Sequence, residues 1–439
     1  MSERPLSIVQ INASERGGGA EAVALHMHEG LRRRGQHARL LVGRGDATAP
    51  DVHAFPADWR TRALHMAAGG ARLVERYRGL ETYRYPATSS ALRRYADADV
   101  VHLHNLHGGY FDLRELPRLS RRVPVVLTLH DAWLLSGHCA HSFACERWRT
   151  GCGACPDLTI YPAVRRDATA LNWQRKRRIF AQSKLHIATP SDWLARRVRA
   201  SMLAPAIAEL RVIPNGVAVS VFTPGDRNAA RSALQLPLET ALLLFVGSAG
   251  ANPFRDRATA AAAAARAAEL MRRAVTLVLL GDPAVSTQRG EATIIGRPFE
   301  PDAARLAQYY QAADIYVHAA HADTFPTTML EAMASGAPAV ATATGGLIEQ
   351  VRSLHACGDA PGHVAGDATG ILVPAADPER MAHALAELLD ADALRSRLGE
   401  NAARIARAEY DAELQCDTYL QWYRALTHSG VAVQGVEAE

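Results

Sequence analysis

Long apolar runs are missing from this 439-residue sequence. The longest, at 241–246 and 275–280, stop far short of the ~20 residues that cross a bilayer. The opening MSERPLSIVQIN turns polar before any stretch of secretory-signal length develops. These two absences predict a cytoplasmic protein, at most peripheral at the inner face of a membrane. Lysine is nearly absent, with Lys176 and Lys184 alone, so arginine carries the basic charge. A net charge of +4 is small for this length and does not point to nucleic acid as the main partner. Extended disorder is excluded by a composition that is 48% apolar. The length suggests two domains of roughly 200 residues each.

The arginines do cluster, at 32–34, 165–166 and 175–178, the last beside Ile179 and Phe180. Such clusters have two readings: a solvated helix surface, which is the simpler, or peripheral contact with anionic lipid or a lipid-phosphate acceptor.

Along the chain, an apolar run at 6–11 is followed by Gly17, Gly18 and Gly19, a helix pattern at 20–34 and a second apolar run at 37–42. That order predicts a βαβ unit with parallel strands. Further strands are expected at 99–103, 124–129, 185–189 and 212–216, with Ser191 capping a helix from Asp192. A breaker-rich stretch at 221–237 reads as the interdomain link. A second alternating series follows, with strands at 242–247, 276–281, 293–296, 315–318 and 339–341. Its helices are expected at 256–272, 301–312 and 327–335, with another opening at Asp377-Pro378. The tail, 393–428, is helical by period. The predicted architecture is α/β, with two doubly wound Rossmann-like domains facing across a cleft. The N-terminal domain spans 1–215, the C-terminal domain 216–405, and a helix at 406–439 packs back on the first domain.

The most informative stretch is IYVHAAHADTFPTTMLEAMASGAP at 315–338. A strand ends, a polar loop carries Asp323, and a helix opens near Pro326, offering uncommitted N–H groups and a positive dipole end suited to a phosphate. Glu331 lies about one turn inside that helix, where a carboxylate can accept two hydrogen bonds from vicinal ribose hydroxyls.

This stretch closely resembles the donor signature of the family 4 retaining glycosyltransferases of GT-B fold. GGAE at 18–21, LTLHDAW at 127–133, IPNGV at 213–217, ATATGG at 341–346 and GILVP at 370–374 extend the resemblance over most of the chain. It implies that Glu331 holds the ribose and that Asp323 stands where the family has a glutamate contacting the donor sugar. The family's basic pair on the diphosphate falls on Ser248 and Arg255, so serine replaces the first cation and arginine the second. Phe325, Pro326, Thr327, Thr328, Gly345, Gly346 and Arg297 complete the expected donor site. His130 is placed by the resemblance near the donor sugar, and it joins Asp323 and Arg255 as a catalytic candidate. Gly18, Gly19, His104, Asn105 and Asp131 are expected on the acceptor side. For Asp131, a turn-capping role with His130 packed beneath is the plainer alternative.

Four of six cysteines, Cys139, Cys145, Cys152 and Cys155, fall in an insertion at 136–156 that also holds His138 and His141. Without an export signal, clustered cysteines suggest a structural zinc site before disulfides. Some members of the resembled family carry a similar insertion after a His-Asp-x-Trp motif. No cofactor is expected for catalysis. The function implied is transfer of a sugar, with retention, from a nucleotide-sugar to a saccharide or lipid-linked saccharide acceptor, in polysaccharide, glycolipid or glycoconjugate biosynthesis. The rival readings are a non-catalytic nucleotide-sugar-binding scaffold of polysaccharide assembly and a hydrolysing epimerase on the same fold. Neither half carries a complete dinucleotide fingerprint, which disfavours a nicotinamide dehydrogenase.

Overall fold

The computed structural model describes residues 4–45, 47–55, 63, 66–67, 69–81, 85–247 and 253–434, with side chains described to residue 428. The chain forms two compact units. One runs to Pro214 and includes the tail from Gln415; the other is Asn215–Leu414.

The first unit is built on seven strands: β1 (Ser7–Asn12), β2 (His37–Val42), β3 (Val52–Ala54), β4 (Val100–Leu103), β5 (Val125–Thr128), β6 (Leu185–Thr189) and β7 (Ile207–Val212). They pair in parallel in the order β3-β2-β1-β4-β5-β6-β7. The central strands read as continuous apolar runs because helices cover both faces of the sheet. The tail helix, Ala412–Gln434, completes this core. Tyr419, Trp422 and Tyr423 are fully buried and pack in one cluster with Ile8, Val100 and Val126.

The second unit carries β8 (Ala241–Val246), β9 (Val275–Leu280), β10 (Ser286–Arg289), β11 (Ala292–Arg297), β12 (Ile315–His318), β13 (Ala339–Thr342) and β14 (Gly370–Val373), ordered β10-β11-β9-β8-β12-β13-β14. All pairs are parallel except β10 with β11. One face is covered by the alanine-rich helix Arg257–Met271 together with Pro378–Asp390, whose buried residues share a cluster with Leu243, Leu277 and Val340. Each unit is thus a Rossmann-like α/β layer structure.

Three readings of the sequence change. The strand expected at 212–216 is instead β7, ending at Val212. Alternating Glu209 and Arg211 on an edge strand disguised it, and Pro214, which has no N–H, lies beyond it. The stretch 221–237 lies inside the second unit and holds the helix Arg227–Ala233, capped by Asp226. Buried Arg231 fixes it by an ion pair of 2.7 Å to Asp314. The short strands β3 and β10 carry too few apolar residues to be read from pattern.

Candidate active site

In the second unit, β12 ends at His318 and the chain turns through Asp323 into the helix Thr327–Ala334. Pro326 occupies the N-cap with extended backbone, and no side chain caps the helix. The N–H groups of Thr327 and Thr328 are therefore open to an external acceptor, while Met329 N donates to the Pro326 carbonyl. Position matters for Pro326 and Phe325: their carbonyls accept hydrogen bonds from Gln350 Nε2 at 3.1 Å and Asn215 Nδ2 at 2.8 Å, which fixes the helix mouth. Gly336, with φ of 79°, closes the helix as only an unbranched residue does readily.

Arg255 reaches this mouth from the segment after β8. Its backbone bridges Ala320, and its guanidinium lies 3.3 Å from Asp323 Oδ2 and 3.3 Å from Thr328 Oγ1. Its Nη1 also contacts the ring of His318, a buried residue that the sequence reading passed over. Burial, then the Arg255 charge, pushes His318 down to about 4, so the ring is neutral and can accept from arginine. Glu331 is half-buried one turn inside the helix. Burial pushes its carboxyl up to about 7, against the opposing effects of a 2.7 Å hydrogen bond from Tyr310 and the Arg255 charge. Tyr310, on the helix Ala303–Ala312, was also invisible to the motif.

Gly345 has φ of 55°, and a Cβ there would sit 1.8 Å from the carbonyl oxygen of Asp323. Gly346 N donates to that same oxygen at 3.1 Å. The glycine pair therefore clamps the Asp323 loop by close backbone approach. Arg297 ends β11, where its carbonyl accepts from Gly281 and Asp282. Ser248 lies outside the described residues.

In the first unit, the ends of β4 and β5 bring His104 and His130 together. His104 Nδ1 is 3.1 Å from His130 Nε2, and His104 Nε2 is 3.2 Å from Gln10 Oε1. The half-buried His130 is pushed down to about 4 by burial. Asp131 uses both oxygens: Oδ1 accepts from Trp133 N at 2.8 Å, and Oδ2 lies 2.8 Å from His107 Nε2. Burial alone would lower His107, but the Asp131 carboxylate outweighs it and raises the imidazole. Asp131 is thus the turn cap of the plainer reading, and it holds His107 as well. Gly18 caps the helix Gly19–Arg33, and Glu21, in its first turn, has its pKa raised by burial. The Asn105 carbonyl accepts from Tyr110 Oη.

The zinc expectation finds no support. Among the described residues no group of three or more His, Cys, Asp or Glu side chains is placed to hold a metal ion. Cys139, Cys145, Cys152 and Cys155 surround a cavity of only about 20 Å³, all as free thiols. Their sulfurs turn to nearer partners: Cys152 accepts from Gly137 N at 3.3 Å, and Cys155 lies 3.3 Å from His138 Nε2. Burial pushes Cys152 up to about 11 and also raises Cys139 and Cys155, so these groups stay protonated at neutral pH. Lys176 holds the start of the insertion, while Trp173 and Thr169 bind its later part at Trp148 and Gly153. Its buried ammonium donates to the carbonyls of Trp133 at 2.9 Å and Ser136 at 3.0 Å and pairs with Glu81 at 2.9 Å. That burial also removes Lys176 from the arginine-rich surface suggested at 175–178. Phe180 likewise faces the core.

The architecture of both units is that of the GT-B glycosyltransferases. Structures of this fold superpose along the chain: a sucrose-phosphate synthase from Thermosynechococcus elongatus has a TM-score of 0.63 at 18% identity, covering 96% of this chain and 99% of its own. HepE from Anabaena, in complex with UDP-glucose, has a TM-score of 0.63 at 16% identity over 96% of this chain and 100% of its own. Residues 226–405 match the family described as Glycosyl transferases group 1, and residues 17–221 match Glycosyltransferase Family 4. The chain is therefore a glycosyltransferase made of a group 1 domain and a Family 4 domain.

Among curated relatives, WcaC of Escherichia coli (strain K12), named for colanic acid biosynthesis, is 24% identical over 77% of this chain and 83% of its own length. A D-inositol 3-phosphate glycosyltransferase of Acidothermus cellulolyticus is 32% identical over 46% of this chain, which spans only 45% of that relative. Among the described residues no helix is long and apolar enough to cross a membrane.

Proposed function

We propose that this glycosyltransferase is a retaining enzyme that moves a sugar from a nucleotide-sugar to an acceptor hydroxyl in polysaccharide, glycolipid or glycoconjugate assembly. The observation that carries the reading is the grouping of Glu331, Arg255 and Asp323 around an uncapped helix mouth. Glu331, when ionised, accepts hydrogen bonds from the two ribose hydroxyls. The diphosphate takes the open N–H groups of Thr327 and Thr328, and Arg255 neutralises its charge. Asp323 meets the donor sugar; His130 is the catalytic candidate of the first unit.

In the reaction, the bond from the anomeric carbon to the diphosphate oxygen breaks as the acceptor oxygen attacks from the same face. The acceptor proton passes to the departing diphosphate oxygen. Arg255 and the helix amides stabilise the charge that develops there. UDP-glucose in HepE makes a uridine diphosphosugar the first donor to try, and the curated relatives support saccharide assembly as the setting.

A thermal-shift panel of nucleotide-sugars on wild type and Glu331→Ala tests the site. One donor should stabilise wild type by roughly 3 kcal/mol at a hundredfold excess over Kd and leave the variant unmoved. Equal stabilisation of both proteins would sink the ribose role. Donor consumed without acceptor would indicate an epimerase. Binding without turnover that Asp323→Glu fails to change would indicate a scaffold.

A further inference from the structure

An open groove of about 1200 Å³ lies in the first unit between the helix Gly69–Tyr77 and the loop 161–165. Its charge is one-sided. Arg44, Arg72, Arg76 and Arg165 line it, and the one carboxylate among the lining residues is Glu81. Glu81 is already neutralised, with Lys176 Nζ at 2.9 Å and Trp133 Nε1 donating at 2.6 Å. Arg72 stands over the Tyr85 ring, 5.6 Å from its centroid, which holds its stem in place with the guanidinium still half-exposed. The guanidinium groups of Arg76 and Arg165 make no hydrogen bond to the described residues.

The helix Gly69–Tyr77 buries none of its own residues; Leu73 is 70% exposed, and Tyr77 is 54% exposed with Arg166 covering one face of its ring at 4.6 Å and the other turned outward. Tyr161, 43% exposed, presents a second aromatic ring at the other wall. That ring meets His107 edge-on at 5.8 Å, and His107 binds Asp131, the neighbour of His130. The groove thus adjoins the His130 side of this unit.

We infer that this groove binds the acceptor, and that the acceptor is an anionic saccharide. Its phosphate or carboxylate sits among Arg72, Arg76 and Arg165, and its sugar rings lie against Tyr77 and Tyr161. Guanidinium forks match the geometry of both anions, and open aromatic faces suit the apolar faces of sugar rings. The inference rests on the glycosyl-transfer reading for the word acceptor only; anion binding in the groove stands or falls separately.

The test titrates the full chain by calorimetry with maltose, maltose 1-phosphate and a glucuronate-containing disaccharide. A parallel arm uses neutral vesicles carrying a polyprenyl-diphosphate-linked glucose. The charged probes should bind at least tenfold tighter than maltose. Arg72→Glu with Arg76→Glu should abolish that difference while leaving nucleotide-sugar stabilisation intact. Arg165→Glu, on a separate loop, guards against misfolding of the helix and should act in the same direction. Tight binding of the free phosphate, or of the vesicle-borne saccharide alone, supports the inference and tells which source the groove accepts. Equal binding of neutral and charged sugars overturns it, as does charge reversal without effect. Binding to anionic vesicles that lack any saccharide, with none to the sugar probes, would make this face a membrane contact and overturn it too. Failure of Glu331→Ala to lose donor binding would instead count against the transfer reading alone.

Discussion

His104 Nδ1 lies 3.1 Å from His130 Nε2, and the far nitrogen of His104 faces Gln10 Oε1 at 3.2 Å. A carbonyl oxygen can only accept, so the His104 proton is on Nε2 and its Nδ1 is the lone pair. Burial pushes His104 well below its ordinary range, which keeps the ring neutral. His130 must then donate from Nε2, so its tautomer is set by a residue one strand away. His104 is in this sense a positioning residue. Its own ring lies tilted against His102, with centroids 4.1 Å apart, and His102 is held by Tyr423 Oη at 2.6 Å and Thr128 Oγ1 at 2.7 Å.

His104→Phe removes the acceptor for the His130 proton and frees that ring to turn, and kcat should fall about 10–100-fold, the scale of a catalytic group misplaced by about 1 Å. KM for the donor should stay within about twofold. His104→Asn, which puts an oxygen near the Nδ1 position, should recover part of the loss. Steady-state kinetics on both variants decide it, and equal losses would assign His104 to packing alone.

Acid should destabilise the first unit before the second. Burial pushes His102 down to about 3 and His130 to about 4, and lowers His104 well below 6.5, so the folded unit binds fewer protons than the unfolded chain. Stability from these groups is therefore fully present above the ordinary histidine pKa and is lost as pH falls from about 6.5 towards 4. The second unit holds one such residue described here, His318. Hydrogen exchange at pH 7 and pH 5 should show the greater loss of protection in β4 and β5.

For Glu331 the sign is opposite. Its folded pKa, about 7, is raised above the unfolded value, so the folded state holds the proton longer and stability declines as pH rises from about 4.5 to 7. Glu331→Gln should raise the apparent Tm of the ligand-free chain at pH 8 by about 2–4 °C, the response of a unit of this size to about 1 kcal/mol. The same change should weaken donor binding above pH 7. Wild-type donor affinity should itself fall as pH drops below about 7, where the carboxylate takes up its proton.

Lys176→Met should cost about 3–5 kcal/mol in urea unfolding, the range for breaking a buried ion pair. It leaves Glu81 and the Trp133 and Ser136 carbonyls without their shared cation. A chelator should leave the same melting curve unmoved, since Lys176, Trp173 and Thr169 already tie the cysteine insertion down.

The strand–loop–helix passage of the second unit was largely legible in the sequence because its determinants are local. Asp323, Pro326 and Glu331 share one strand–loop–helix passage, and helix periodicity alone places the glutamate behind the helix mouth. Parallel sheets also announce themselves, since strands buried on both faces read as unbroken apolar runs. Tertiary structure alone decided the partners: Tyr310 lies 21 residues before Glu331, and Tyr423 lies 321 residues from His102. Sequence proximity misled where a local pattern had a cheaper local outcome. Four cysteines in one loop suggested a metal, yet the Cys152 and Cys155 sulfurs meet Gly137 and His138, while the lysine thought to face solvent became a buried fastening. Local geometry follows from residue order, but whether a polar group meets water, backbone or ligand depends on what the rest of the chain folds against it.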